Sequence, residues 1–230
     1  MRKLFTILFL IPFVVFSQTD SLNQTDGNGL KQGRWKKFYL KGGKRYVGQF
    51  KDDKPIGTFF YYDELGKMTS SLKHKGDTAF GKFFHINGKL LGEGIYVNQK
   101  KQGEWRYYDN LGLLSSVENY NLGKLHGEKI VYYTNGAVAR KEVYVEGLIQ
   151  GEVKDYFEDG IVKYEANYID GNPDSTVIYY HPNGKNRIVG RFKDAVRHGK
   201  WTYYNDLGVI TSWEFYRLGD LVKAINKEDE

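Results

Sequence analysis

The 230 residues contain no cysteine and only four prolines. The missing cysteine excludes disulfides, thiolate metal sites, cysteine nucleophiles and a lipoprotein anchor. No long apolar run follows Leu4–Phe16. No integral membrane segment is therefore expected beyond it. Neither sign of charge dominates: 34 basic residues face 28 acidic ones, a net of +6 that falls to +4 without Arg2 and Lys3. A balance so slight and so evenly spread excludes nucleic acid as a partner. The chain is rich instead in Gly (27), Tyr (19) and Phe (14), with 4 Trp. That mixture fits many short strands and tight turns, with aromatic rings supplying the burial.

The start Met1-Arg2-Lys3, the apolar run Leu4–Phe16 and the pair Val15 and Ser17 ahead of Gln18 follow the secretory signal pattern. The expectation is a signal peptide over residues 1–17, cleaved near Ser17/Gln18, and a secreted or periplasmic protein. A polar, aperiodic spacer is expected over 18–28, a repeat domain over 29–222 and a charged C-terminal tail over 223–230.

Self-similarity organises the rest. Glycines stand at Gly42, Gly66, Gly88, Gly112, Gly136, Gly160, Gly184 and Gly208, and every gap is 24 residues except the 22 from Gly66 to Gly88. Nine residues before each lies an opening residue: Gly33, Gly57, Ala79, Gly103, Gly127, Gly151, Ser175 and Gly199. Eight units follow from these openings. Their sixth position is always aromatic: Phe38, Tyr62, Phe84, Tyr108, Tyr132, Tyr156, Tyr180 and Tyr204. The eighteenth is aromatic in seven units, and in the shortened second unit Leu72 is expected to take its place. Trp35, Trp105 and Trp201 share the third position.

Each unit makes sense as a β-hairpin. Turns such as Asn87-Gly88 and Asn183-Gly184 suit tight reversals between strands. A lone hairpin is marginal, so stability must come from stacked neighbours. The fold class expected is all-β: a twisted and curled single-layer antiparallel meander of eight hairpins, with about sixteen strands at roughly 4.8 Å spacing. The sixth- and eighteenth-position rings are expected to form its structural columns. At the C-terminus, Leu218, Leu221, Val222 and Ile225 have helical spacing and Asp220 is placed to cap. A ninth half-unit fits the same stretch, with Gly219 matching Gly123, but a short frayed helix is the expectation.

The pattern Gly-x-Trp-x-x-Tyr-Tyr, a turn glycine, and a strand ending Tyr-x-x-Gly resembles the MORN-repeat variant class, to which bacterial YwqK-family antitoxin-like proteins belong. The resemblance covers about residues 27–222. It implies a single-layer sheet used as a scaffold or binding surface. The sequence departs from it at Ala79, Ser175, the short second unit, and at Gly81, Lys129, Val153 and Val177, where Trp is lost.

The register also tests candidate chemistry. His126 and His198 lie three units apart, or about 29 Å, and His85 and His181 lie four apart, about 38 Å. His74 is alone in the odd unit. No metal site, cofactor site or catalytic group is therefore expected. Glu104, Glu128 and Glu152 form a column about 10 Å apart, too wide for a retaining carboxylate pair. Gly76–Lys82 opens like a phosphate loop, but Phe83 stands where Ser or Thr should bind the metal. The variable fourth and fifth positions remain, and their aromatics Phe60, Tyr61, Tyr107, Tyr179 and Tyr203 are the candidate binding surface. The function expected is a secreted, non-enzymatic scaffold whose partner is another protein. Binding of a glycan, cell envelope or lipid surface, and neutralisation of a toxin as an exported antitoxin, are the alternatives.

Overall fold

The computed structural model describes residues 21–229. The expected leader and its cleavage point lie outside the described residues. Among the described residues twenty strands form one continuous sheet with no α-helix, and the successive strands of the hairpins pair antiparallel with one another. Lys100–Tyr108, Leu114–Asn121 and Lys124–Tyr132 show the arrangement: a hairpin, then a turn, then the next hairpin. Sixteen of the strands are those of the eight hairpins. Two of the other four, Leu148–Ile149 and Val196–Arg197, are fragments cut off by bulges.

The remaining two correct the expected ends. Gln24–Thr25, inside the expected spacer, pairs with Gln32 and Lys31. Asp220–Asn226 is a strand on Ile210–Arg217, where a helix was expected, and only Lys227–Asp229 makes a 3-10 turn. An available sheet edge satisfies that backbone better than an isolated helical turn does, and the apolar residues with helical spacing stay largely exposed. The sheet thus extends at both ends beyond 29–222.

The odd spacing has a physical cause. Between units one and two, Gln49 pairs with Ile56 while Val47 pairs with Phe60, so two extra residues are looped into a bulge. Equivalent two-residue excesses occur at the joints near Gly94, Glu118, Val143, Asn167 and Arg191. Between units two and three the ladder is unbroken from Ser70↔Phe83 to Lys75↔Thr78. The 22-residue gap is therefore the bulge left out. Opening residues at bulges have positive φ, and Ser175 keeps it at 67°. Ala79, with no bulge to serve, sits in ordinary strand geometry and is buried.

The same register corrects the expected role of Leu72. His74 lies opposite Gly57, as Phe50 lies opposite Gly33 and Tyr120 opposite Gly103. The eighteenth position in unit two is His74, whose ring meets Phe59 edge-on at 5.2 Å. Leu72 stands at the sixteenth.

Alternation of side chains gives the sheet a core face and an outer face. The core face carries the third, fifth, fourteenth, sixteenth and eighteenth positions. Its third-position residues are the most deeply covered, with Phe59, Trp105, Val153, Val177 and Trp201 all at 2% exposure or less. The sixth-position rings are on the other face; Phe38 is exposed, the rest are half-buried, and Tyr108 and Tyr180 donate to Glu93 and Glu165.

At five of the seven joints third-position size is matched by the sixteenth position of the preceding unit. A Cβ on Gly48, Gly94 or Gly190 would come within 2.2–2.3 Å of the ring of Phe59, Trp105 or Trp201. Where Gly81 occupies the third position, Leu72 faces it. Where Lys129 occupies it, Glu118 does. At Gly81 and Lys129 the departure from Trp is thus a compensated pair.

Candidate interaction face

The core face is the candidate site, and it alternates between aromatic clusters and charge. At the start of unit four the ammonium of Lys101, from the end of unit three, lies 4.6, 5.0 and 4.7 Å from the ring centres of Trp105, Tyr107 and Tyr120. It donates to the Tyr107 hydroxyl, while Tyr120 donates to Glu118 at 2.6 Å. Unit eight repeats the constellation. There the Arg197 guanidinium lies 4.2 Å from Trp201 and 5.1 Å from Tyr216, and donates to the Tyr216 hydroxyl at 2.7 Å. Tyr203 and Tyr216 both donate to Glu214. A cation over ring faces is attracted by their quadrupoles, so both aromatic cages are filled by the chain's own side chains.

Between the cages lies a charged centre. Lys129 lies 3.7 Å from Glu118 and 3.5 Å from Glu142, and Arg140 bonds Glu142 at 2.7 Å and Asp155 at 3.1 Å. Burial alone would raise the Glu142 carboxyl. Hydrogen bonds from Arg140 and Tyr144 and the charges of Arg140 and Lys129 outweigh it, leaving the pKa below the usual value. For Asp155 burial wins over Arg140 and Lys163, and its pKa is raised. The Tyr144 hydroxyl is pushed up to about 12 by burial and by its bond to Glu142. Next to this centre the rings of Tyr164 and Tyr179 meet at 4.9 Å, tilted by 52°, and Tyr164 shares a hydroxyl bond with Tyr168 at 3.1 Å.

The expected surface residues divide between the faces. Tyr61, Tyr107, Tyr179 and Tyr203 lie half-buried on the core face. Phe60, next to the buried Phe59, points the other way and is 39% exposed. The residues that sequence reasoning missed are the cations and carboxylates among the rings. Their signal was present: Lys101 and Arg197 share one register position, and Glu118, Glu142 and Glu214 share another.

The histidines have structural places. His85 and His181 bond the carbonyls of Tyr108 and Tyr204 in the next unit, each at 2.9 Å. Asn87 and Lys89, and likewise Asn183 and Lys185, reach carbonyls of that neighbouring turn. On the other edge, Gln32, Gln102 and Gln150 each accept from the N–H of Asp52, Leu122 and Asp170. Glu104 and Glu152 pair with Arg106 and Lys154 at 2.8 and 2.7 Å on the outer face. Among the described residues, no three His, Asp or Glu side chains converge as a metal ion would require.

No curated protein matches the chain. Among solved structures, a mutant of S. aureus TarM is 15% identical, with a TM-score of 0.34, over 46% of this chain and 21% of TarM. The Photorhabdus luminescens Tc holotoxin pore is 11% identical, with a TM-score of 0.22, over 89% and 14%. A porin-like protein from Bacteroides uniformis is 10% identical, with a TM-score of 0.21, over 78% and 88%. Such scores carry no argument about this fold or its role. The MORN repeat variant matches residues 125–146 and 149–170. The offset between these two segments is the period of the sheet, so two consecutive repeats at the centre of the core face, from Leu125 to Asp170, match the MORN repeat variant.

Proposed function

We propose that the protein is an exported, non-enzymatic scaffold that binds another protein along the core face of its sheet. One observation carries this reading: two equivalent cages, at Trp105 and Trp201, already hold Lys101 and Arg197. Aromatic cages that recognise a quaternary ammonium are open, whereas these present hydroxyls, carboxylates and ring edges around an internal cation. What the face offers is apolar area at intervals, separated by the charged centre of Lys129, Arg140, Glu142 and Asp155. That spacing suits a protein surface of mixed chemistry. The test is affinity capture from envelope extract with the wild type and with Tyr179→Ser/Tyr203→Ser, followed by hydrogen-exchange footprinting. One protein enriched by the wild type, lost with the variant and protecting core-face strands supports the reading. Enrichment of glycan or lipid, or protection confined to the outer face, overturns it. An antitoxin role would require the captured protein to be a toxin that this chain neutralises.

A further inference from the structure

The joint without a bulge leaves a hollow of about 510 Å³ on one edge of the sheet. Its floor and walls include Pro55, Ile56, Leu72, His74, Ala79 and Tyr96, and its rim carries Lys54, Asp77, Asn98 and Gln99. Three departures from the repeat create it. The two residues that would follow Thr78 are missing, so nothing fills the space between the turns of units one and three. Ile56 holds the place where Gln32, Gln102 and Gln150 grip the next turn. Pro55 holds the place of Lys31, whose N–H donates to Asp53 at 2.9 Å. Proline has no N–H to give, so Asp77, the counterpart of Asp53, loses that bond.

The consequence is a rim of disengaged polar groups over an apolar floor. Among the described residues, the side chains of Lys54, Asp77, Asn98 and Gln99 bond to none of the others. Asp53 and Asp170, at the register positions of Asp77 and Asn98, are both tied down. Burial lowers the pKa of His74 on the floor and so disfavours its charged form. A carboxylate, an ammonium and two amides around an apolar hollow match a peptide: the main chain supplies donors and acceptors, and one bulky apolar side chain fills the floor.

We propose that this hollow is a peptide-binding site, taking a large apolar side chain from an extended segment of a protein partner. Asp77 accepts a main-chain N–H, and Lys54, Asn98 and Gln99 donate to carbonyls. The proposal rests on the reading of the chain as a protein-binding scaffold but places a second contact where the core face meets the turns of units one to three.

The test is amide-resolved NMR titration of the protein with N-acetyl-tryptophanamide, and separately with free tryptophan. Expected are saturable shifts confined to Thr78, Ala79, Asn98 and Gln99 and their neighbours, with millimolar affinity for the capped compound and weaker binding of the free amino acid. A variant with Lys-Gln inserted after Thr78 and Ala79→Gly restores the regular spacing, and should keep a dispersed spectrum while losing the shifts. Asp77→Asn, which removes the carboxylate without filling the hollow, should weaken binding at least threefold. Absence of saturable shifts, shifts spread along the core face beyond unit three, or unchanged binding in either variant would overturn the proposal. Equal or tighter binding of free tryptophan would overturn the peptide assignment and make the ligand an amino acid. Because no captured protein is needed, failure here is separable from failure of the scaffold reading.

Discussion

Exchanging the sizes of Gly94 and Trp105 tests the compensated column directly. Trp105 is 1% exposed, and a Cβ on Gly94 would lie 2.3 Å from its ring. Gly94→Leu alone should therefore overpack the joint and cost about 1–3 kcal/mol. Trp105→Gly alone leaves a cavity and should cost about 3–5 kcal/mol or slightly more, glycine being a poor strand residue. The double variant copies the arrangement found at Leu72 opposite Gly81. In that background the leucine enters space the indole has left, and its burial should return about 1.5–3 kcal/mol. Gly94→Leu should thus change sign, destabilising the wild type and stabilising Trp105→Gly. Urea denaturation of all four proteins, followed by fluorescence and circular dichroism, gives the cycle. If the double variant is no more stable than Trp105→Gly, the size matching is incidental and the column is not a unit of packing.

Three further outcomes follow from the geometry. Ser175→Gly should stabilise by about 1 kcal/mol, since Ser175 has a φ of 67° that costs a residue with a side chain. Ala79→Gly, in ordinary strand geometry, should instead destabilise by about 0.5–1 kcal/mol, and thermal melts of the pair will show the opposite signs. Glu142 has a pKa lowered in the folded state, so its contribution is present above the unfolded carboxylate pKa and lost as pH falls through the folded one. Denaturation midpoints taken from neutral to acid pH should fall less steeply for Glu142→Gln, and an unchanged slope would show that the pairing with Arg140 carries no linkage. Lys101→Ala should empty the cage of Trp105, Tyr107 and Tyr120, and choline should then perturb tryptophan fluorescence while leaving the wild type silent.

The period, the antiparallel pairing and the turn glycines were legible because each depends on local chemistry. Gly88, for instance, adopts a φ of 84° at its turn, as Asn-Gly spacing implies. Which face is buried was not legible from spacing. Aromatic residues recur at the third, fifth, sixth and eighteenth positions, and strand alternation puts the sixth on the opposite face from the fifth, as with Tyr108 and Tyr107. The place of Leu72 was misjudged for a related reason. The two missing residues come after His74 and not before it, and spacing between glycines cannot say where in a unit a deletion falls. The charged centre was legible residue by residue but not as a cluster. Lys129 looked like a lost tryptophan until Glu118 was found opposite. The C-terminal strand was missed because helical spacing and an available sheet edge competed, and the edge won.

The turn clamps have a bearing on how the chain comes to be made. His85 reaches Tyr108, Lys89 reaches Leu111 and Gln150 reaches Asp170, always 20–23 residues ahead. The cages and the compensated pairs likewise join residues of one unit or of two adjacent ones. Every bond of this kind can close once the next hairpin has left the ribosome, with no need to wait for a distant segment. Such a sheet can be assembled from its start in the order of synthesis, as a zip is closed. A whole unit could also be added or removed between two joints without opening bonds elsewhere. The length of the sheet, and with it the reach of the surface it presents, is thus adjustable in steps of one hairpin.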